Sequence, residues 1–386
     1  MTHSQARLAC GDPPMRLGQM VRKDPDGGFL RLFDGRQVHW SFNTRVAIRA
    51  ACDLLGLLPG DEILVPAYNC GSEVDPLVHA GLSMRLYPVS ADLWADPDRI
   101  APMITERTKA VYVTHYFGIL QPDLAALRTL CDRHGLRLIE DCALSLLSGT
   151  APAEGVTGDV SVFCFYKFVP VLEGGALVVN ADDLDIDPPF ARPPPRKTVA
   201  KTLLRTTINR ALGPDRVRAL KQSLGRRGAS ETRHDKPGEM EDIPSHYYFD
   251  PTLRNRRISS FALRPLRSFS VSDVSEARRQ NWQTYRELLD DMPGVRLVNP
   301  DLAADTCPLN MPIRIAHRDR VARELQAMGI GATPWWAGFN RNLDWSGQTE
   351  AIELKNSILS LPLHQYLGPA HIQHIANQLR KTLRDP

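Results

Sequence analysis

At 386 residues the chain exceeds one small core, and at about 100 to 200 residues per domain it predicts two units. Its 43% hydrophobic and 24% charged residues exclude a chain disordered throughout, and no apolar run reaches the ~20 residues that cross a bilayer. The net charge of +3 gives no global case for nucleic-acid binding, and seven scattered cysteines without a C-x-x-C pair indicate neither a disulfide framework nor a zinc site, so no metal is expected. The opening stretch MTHSQARLACGDPPM lacks the apolar core of a signal peptide, which makes the cytoplasm the expected location.

From about residue 43, helical periodicity alternates with short β-rich runs, the pattern of a largely parallel sheet with crossover helices. Residues 44–57 read as a helix stopped by Pro59 and Gly60. A strand follows at 61–67, a helix near 71–81, strands at 84–89 and 109–118, a helix at 123–135 and a strand at 136–141. Two further runs, 159–165 and 174–180, bring the strands to six.

The stretch DIDPPFARPPPRK then opens an excursion over about 184–247, because its prolines suit neither a strand nor a helix interior. Within it, residues 192–227 hold eleven Lys or Arg against one acid, Asp215, with Val199, Leu203, Leu204 and Ile208 at helical spacing. The expectation is a basic amphipathic helix packed on its own domain or on a twin subunit, with contact to a membrane surface or attraction of an anionic substrate as alternatives. From about 259 a second unit begins with a helix over 271–292 and ends in a helix after ILSLPLHQYL. The expected division is a large domain over 1–258 and a small one over 259–386.

Two residues carry the chemistry. Asp141 ends the strand LRLIED, and Lys167 lies in the turn after the next strand, ahead of Glu173-Gly174-Gly175. Strand ends of this kind are where ligands sit in α/β sheets. A lysine that loses its proton there can form an imine with an aldehyde, and a neighbouring carboxylate can keep a pyridinium nitrogen protonated. Singly, each has a plainer explanation, as a solvated lysine and a turn residue. Together they describe a site for pyridoxal 5′-phosphate.

Six blocks in order, PGDEILVPAYNCGS, ITERTKAVYVTHYFG, LCDRHGLRLIEDCA, GDVSVFCFYK, EGGALVVN and ILSLPLHQYL, resemble the DegT/StrS family of nucleotide-sugar aminotransferases. The resemblance implies an α/β protein of the type I aminotransferase fold, with a mixed, mostly parallel sheet in a large domain and a smaller C-terminal α/β domain, working as a homodimer with shared sites. Lys167 of FCFYKFVPVLEGG then matches the Schiff-base lysine, and Asp141 the partner of the pyridine nitrogen. Asn43, Thr44 and Arg45 match the segment that holds the cofactor phosphate at a helix start, where free N–H groups favour an anion. Thr44 also reads as a plain cap residue. Asn255 of NRRI resembles an asparagine that reaches a phosphate in the partner subunit, the alternative being a solvated link.

Several positions depart from the family pattern, among them Asn43-Thr44-Arg45, which stands where the family has a small Gly-Thr-Ala. Cys70 stands where an aromatic ring is usual, Leu144 where Gln or His is usual, and Cys164 where a serine is usual. Tyr68 or His115 becomes the candidate to cover a cofactor face. Trp335 and Trp336 fall where the family has an aromatic substrate loop, or else are buried in the small domain. The resemblance implies transfer of an amino group from glutamate to a keto-sugar nucleotide, in amino-sugar or polysaccharide synthesis. A cyclitol, amino-acid or lipid-linked substrate, and a non-catalytic cofactor-binding relative, remain as alternatives.

Overall fold

Seven strands, one more than expected, build the main sheet of the computed structural model, which describes residues 28–149, 154–171, 173–184, 189–197, 199–200, 204, 240–267 and 269–384. They are β1 (Gln37–Ser41), β2 (Glu62–Pro66), β3 (Ser83–Tyr87), β4 (Thr108–Thr114), β5 (Arg137–Asp141), β6 (Val160–Cys164) and β7 (Gly175–Val179), in the order β1-β7-β6-β5-β4-β2-β3. All pairings from β6 across to β3 are parallel, whereas β7 runs antiparallel to both β6 and β1. The additional strand, QVHWS, is a short edge strand whose polar residues hide the period-two signal.

Alternation along the strands sorts side chains onto two faces. Leu64, Val111, Val113, Leu138 and Phe163 enter one apolar cluster, and their neighbours Ile63, Val65, Tyr112, Ile139 and Val162 enter another. Helix α1 (Thr44–Leu54) covers the second face and buries Val46, Ala47, Ile48, Ala51 and Cys52. It begins where the extended Asn43 accepts the Val46 N–H on its side chain at 3.0 Å. The short α2 (Asp75–His79) joins β2 to β3, and α3 (Leu124–His134) joins β4 to β5, ending on Gly135 at φ 62°.

A smaller antiparallel sheet holds β8 (Arg296–Leu297), β9 (Met311–Arg314), β10 (Thr333–Pro334) and β11 (Ile358–Leu361), in the order β10-β11-β9-β8. Helices α4 (Val271–Leu289), α5 (Arg318–Ala327) and α7 (Pro369–Arg384) enclose a third cluster with it, around Trp282, Tyr285, Ile313, Leu325, Leu359 and Ile375. Helix α6 (Thr349–Ser357) leads into β11 and carries the buried Lys355. The Lys355 ammonium donates to Asn69 O at 2.6 Å, Trp336 O at 3.0 Å and Gly338 O at 2.8 Å, so it ties the β2 exit to the aromatic loop after β10. Burial pushes its pKa down to about 7, and the faces of Phe339 and Trp345, 5.2 and 4.8 Å away, partly replace its lost water.

Most of the basic run 192–227, with its expected amphipathic helix, lies outside the described residues. Among the described residues, no helix is long and apolar enough to cross a membrane.

Candidate active site

Asp141 ends β5, and Lys167 occupies the turn that leaves the adjacent parallel strand β6. The Asp141 side chain is buried, accepting the Tyr112 hydroxyl on Oδ2 at 2.8 Å and the Ala143 N–H on Oδ1 at 2.8 Å. Burial raises its pKa, and the nearby Lys167 ammonium and these two donors oppose the rise. The result is an oriented carboxylate able to hold a positively charged N–H. Lys167 is half-buried and its charge is felt by Asp141, Glu73, Cys70 and Cys164.

The start of α1 approaches the same sheet edge. Gly175, the first residue of β7, pairs with Ser41 on one side and Cys164 on the other. A Cβ there would meet Phe163 O at 2.6 Å, Thr44 N at 3.0 Å and Ser41 Oγ at 3.1 Å, so only glycine lets the three segments come together. The first N–H groups of α1, at Thr44 and Arg45, have no partner within the helix and form the positive end of its dipole.

Pyridoxal phosphate requires an anion for its ring nitrogen, an amine for its aldehyde and donors for its phosphate. The buried Asp141, the Lys167 amine and the glycine-opened start of α1 fit those three needs along one sheet edge.

Several expected contacts are placed differently. The Thr44 hydroxyl donates to Phe163 O at 3.0 Å, so its proton is already used. Arg45 turns away and donates to the carbonyls of His246, Tyr247 and Tyr248 at 2.9, 2.7 and 2.7 Å. Tyr68 is fully buried, its hydroxyl donating to Trp335 O at 3.1 Å and its ring lying 5.7 Å from Tyr116 and 5.3 Å from Trp336. Tyr68 and Leu144 belong to one apolar cluster, whereas Tyr112, which donates to Asp141, belongs to the other. Trp335 and Trp336 are partly buried and pack against the same cluster.

His115 is engaged at both nitrogens: Nδ1 accepts the Gln121 N–H at 3.0 Å, which leaves Nε2–H to donate to Glu140 Oε1 at 2.9 Å. Glu140 precedes Asp141 on β5, so by strand alternation it points to the other face and takes His115 with it. Glu140 further accepts the N–H groups of Gly155, Thr157 and Gly158 at 2.9, 3.0 and 2.9 Å. The ligand atoms of His115, Glu140 and Cys142 lie within 4.8 Å of one another, but these donors occupy the carboxylate and burial pushes the Cys142 thiol well up. The cluster is a hydrogen-bonded anchor for the loop after β5, without the free lone pairs that a metal needs.

Cys164 is buried beside Thr44, and Cys70 sets its Sγ 3.3 Å from Ser72 Oγ, with burial raising its thiol to about 11. Asn255 is exposed at φ 64°, its carbonyl accepting the Arg192 N–H at 3.0 Å. Two site residues escaped the sequence reading. Tyr112 was legible only as an inward-facing strand residue, and Glu73 as a polar residue of a turn.

A family model described as the DegT/DnrJ/EryC1/StrS aminotransferase family matches residues 41–187 and 265–380. GDP-perosamine synthase of Vibrio cholerae is 37% identical over 146 residues, 36% of this chain and 39% of that protein. L-glutamine:2-deoxy-scyllo-inosose aminotransferase of Streptoalloteichus tenebrarius is 34% identical over 146 residues, 36% of this chain and 33% of that protein. The matched stretch thus spans less than two fifths of each curated relative. Helicobacter pylori PseC, an aminotransferase involved in the biosynthesis of pseudoaminic acid, superposes with a TM-score of 0.68 over 98% of this chain and 99% of that one, at 16% identity. That likeness is one of fold. The family match, in contrast, runs from the start of α1 through Asp141, Lys167 and Gly175 and resumes across the smaller sheet, and on it the chain belongs to the DegT/DnrJ/EryC1/StrS aminotransferase family.

Proposed function

We propose that this chain is a pyridoxal-phosphate-dependent aminotransferase that moves an amino group from glutamate to a keto-sugar nucleotide. The observation that carries the proposal is the convergence of Lys167, Asp141 and the start of α1 on one edge of the sheet. When bound, pyridoxal phosphate supplies an aldehyde that condenses with amines and a ring that draws electrons from the activated carbon. Asp141 keeps a proton on the ring nitrogen, and the Tyr112 hydroxyl and Ala143 N–H fix the direction of its carboxylate. Lys167 would hold the cofactor and, as a free amine, would carry a proton to and from the reacting carbon. The N–H groups at the start of α1 hold the phosphate.

Two copies of the chain are expected to form the working unit in the cytoplasm, with the exposed Asn255 reaching the phosphate site of the partner, and the domain division falls after residue 258. The sugar substrate is supported by the named activity of the Vibrio relative. The inosose aminotransferase at 34% identity favours a second reading, in which the acceptor is a keto-cyclitol.

The test is the absorption spectrum of the purified protein with pyridoxal phosphate, before and after glutamate. A lysine-linked band that gives way to the amine form of the cofactor supports the proposal, and no lysine-linked band removes it. Mass analysis of product from a keto-sugar nucleotide and from a keto-cyclitol then separates the two acceptors. Gly175→Ala is expected to weaken pyridoxal phosphate binding at least about tenfold, or ~1.4 kcal/mol, because the methyl group pushes Thr44 N away from the phosphate position. Fluorescence titration measures it, and an unchanged affinity would remove the start of α1 from the site.

A further inference from the structure

The residue next to Lys167 is held from far along the chain. Phe168 is fully buried in the turn after β6, where its N–H and that of Val169 both donate to Phe165 O, at 3.1 and 2.8 Å. Its carbonyl accepts the Nε2–H of Gln365 at 3.3 Å, a half-buried residue of the loop between β11 and α7. The peptide planes on both sides of the Phe168 Cα are thus fixed, and Gln365 fixes the second of them from outside the turn.

The orientation of that amide is imposed. Gln365 Oε1 accepts the Nε–H of Arg278 at 3.1 Å. A guanidinium only donates, so the amide oxygen has to face it, and the NH2 end is left to Phe168 O. Arg278 is fully buried on α4, donates from Nη1 to Pro308 O and Leu309 O at 3.0 and 2.6 Å, and sets its Cζ 5.0 Å from the centre of the Phe168 ring. It therefore meets the turn in two ways, directly over the ring and through Gln365 at the carbonyl. Three residues on and on the same side of α4, Asn281 donates to the carbonyls of Leu363, His364 and Leu367 at 3.1, 3.4 and 3.2 Å, which fixes the loop that carries Gln365.

We propose that Gln365 is a positioning residue for Lys167, an amide strut by which α4 and the loop after β11 set the direction of the turn that bears the reactive amine. A reacting group has to be held within about 0.5 Å of its working place, and supporting hydrogen bonds to its backbone are one way to hold it. Simple filling of space would need only a side chain of this size, whereas the strut needs an acceptor at one end and a donor at the other. The hold on the turn is a property of the bare protein, while its effect on turnover rests on the aminotransferase reading.

Two substitutions separate the ends of the amide, and Gln365 is only half-buried, so both variants are expected to fold. Gln365→Glu keeps an oxygen for Arg278, which holds it ionised, and sets an acceptor against Phe168 O in place of a donor. Gln365→Met keeps the length and loses both contacts. In both, kcat with glutamate is expected to fall at least about fivefold while KM for glutamate stays within about twofold, the pattern of a misplaced reacting group rather than of lost binding. Hydrogen exchange at the Phe168 and Val169 amides of the bare protein should be at least about tenfold faster. Wild-type rates and exchange in both variants overturn the proposal. A fall in Gln365→Met beside an unchanged Gln365→Glu overturns it as well, because the residue would then serve Arg278 alone. A wild type that never forms the lysine-linked band removes the aminotransferase reading instead, and faster exchange in Gln365→Glu would still place the strut on the turn.

Discussion

On the proposed role of Lys167, as covalent attachment point and proton carrier, Lys167→Ala is expected to lower amino transfer by at least about 10⁴-fold. The fold should survive the change. Lys167 is half-buried in a turn, outside the three apolar clusters, so the loss is confined to its charge near the buried Asp141 and urea unfolding is expected to shift by about 1 kcal/mol. Lys167→Arg should be equally inactive, because a guanidinium keeps the charge but cannot become the neutral amine that attacks an aldehyde. Steady-state rates with glutamate, beside the absence of a lysine-linked absorption band in both variants, check the expectation. Activity retained in Lys167→Arg would mean that charge alone matters at this position.

Glu140→Ala should instead strike stability. The change strands His115 Nε2 and the N–H groups of Gly155, Thr157 and Gly158, all facing a side chain that is 1% exposed. Breaking a buried, hydrogen-bonded charge of this kind costs about 3 to 5 kcal/mol. Burial would raise the Glu140 carboxyl, but the donors win and hold it below its ordinary 4.5. A carboxyl depressed in the folded state stabilises the protein above pH 4.5, and that stability is lost as pH falls through the folded value. The difference between wild type and variant in urea unfolding should therefore be full at pH 7 and shrink below pH 4.5. A difference that stays constant down to pH 3 would contradict the assignment.

Much of this architecture is legible in the chain. Most of the main-sheet strands announce themselves because buried strands are largely apolar, as EILVP and GALVV are. The edge strand QVHWS escapes because only one of its residues is fully buried. Within the site, Asp141 and Lys167 could be found from their places at strand ends. The side chains of Tyr68 and His115 are engaged by partners that the sequence does not reveal, Trp335 O for the one and Gln121 and Glu140 for the other. The proximity of both residues in sequence to the site was clear, but the face of the sheet on which each side chain emerges depends on strand ends that pattern alone fixes only to within a few residues. A one-residue change in that parity moves a ring from the cofactor side to the core. Glu73 is harder still, since nothing local distinguishes a turn glutamate in water from one drawn inward by the packing of α2.

The hairpin of β6 and β7 gives the molecule a built-in inspection of its own assembly. Ser41, Cys164 and Gly175 stand side by side only in one alignment of β1, β7 and β6. A slip of β7 by one residue would set a side chain or the wrong glycine in the notch, and would turn Leu177 and Val179 out of their cluster. Such a molecule could still be helical and soluble, but the start of α1 would stand off from the strand ends and grip no phosphate. On the proposed reading, the fraction of a preparation that retains pyridoxal phosphate is a census of correctly aligned chains, and low occupancy after expression would point to faulty strand alignment before it points to a scarce cofactor.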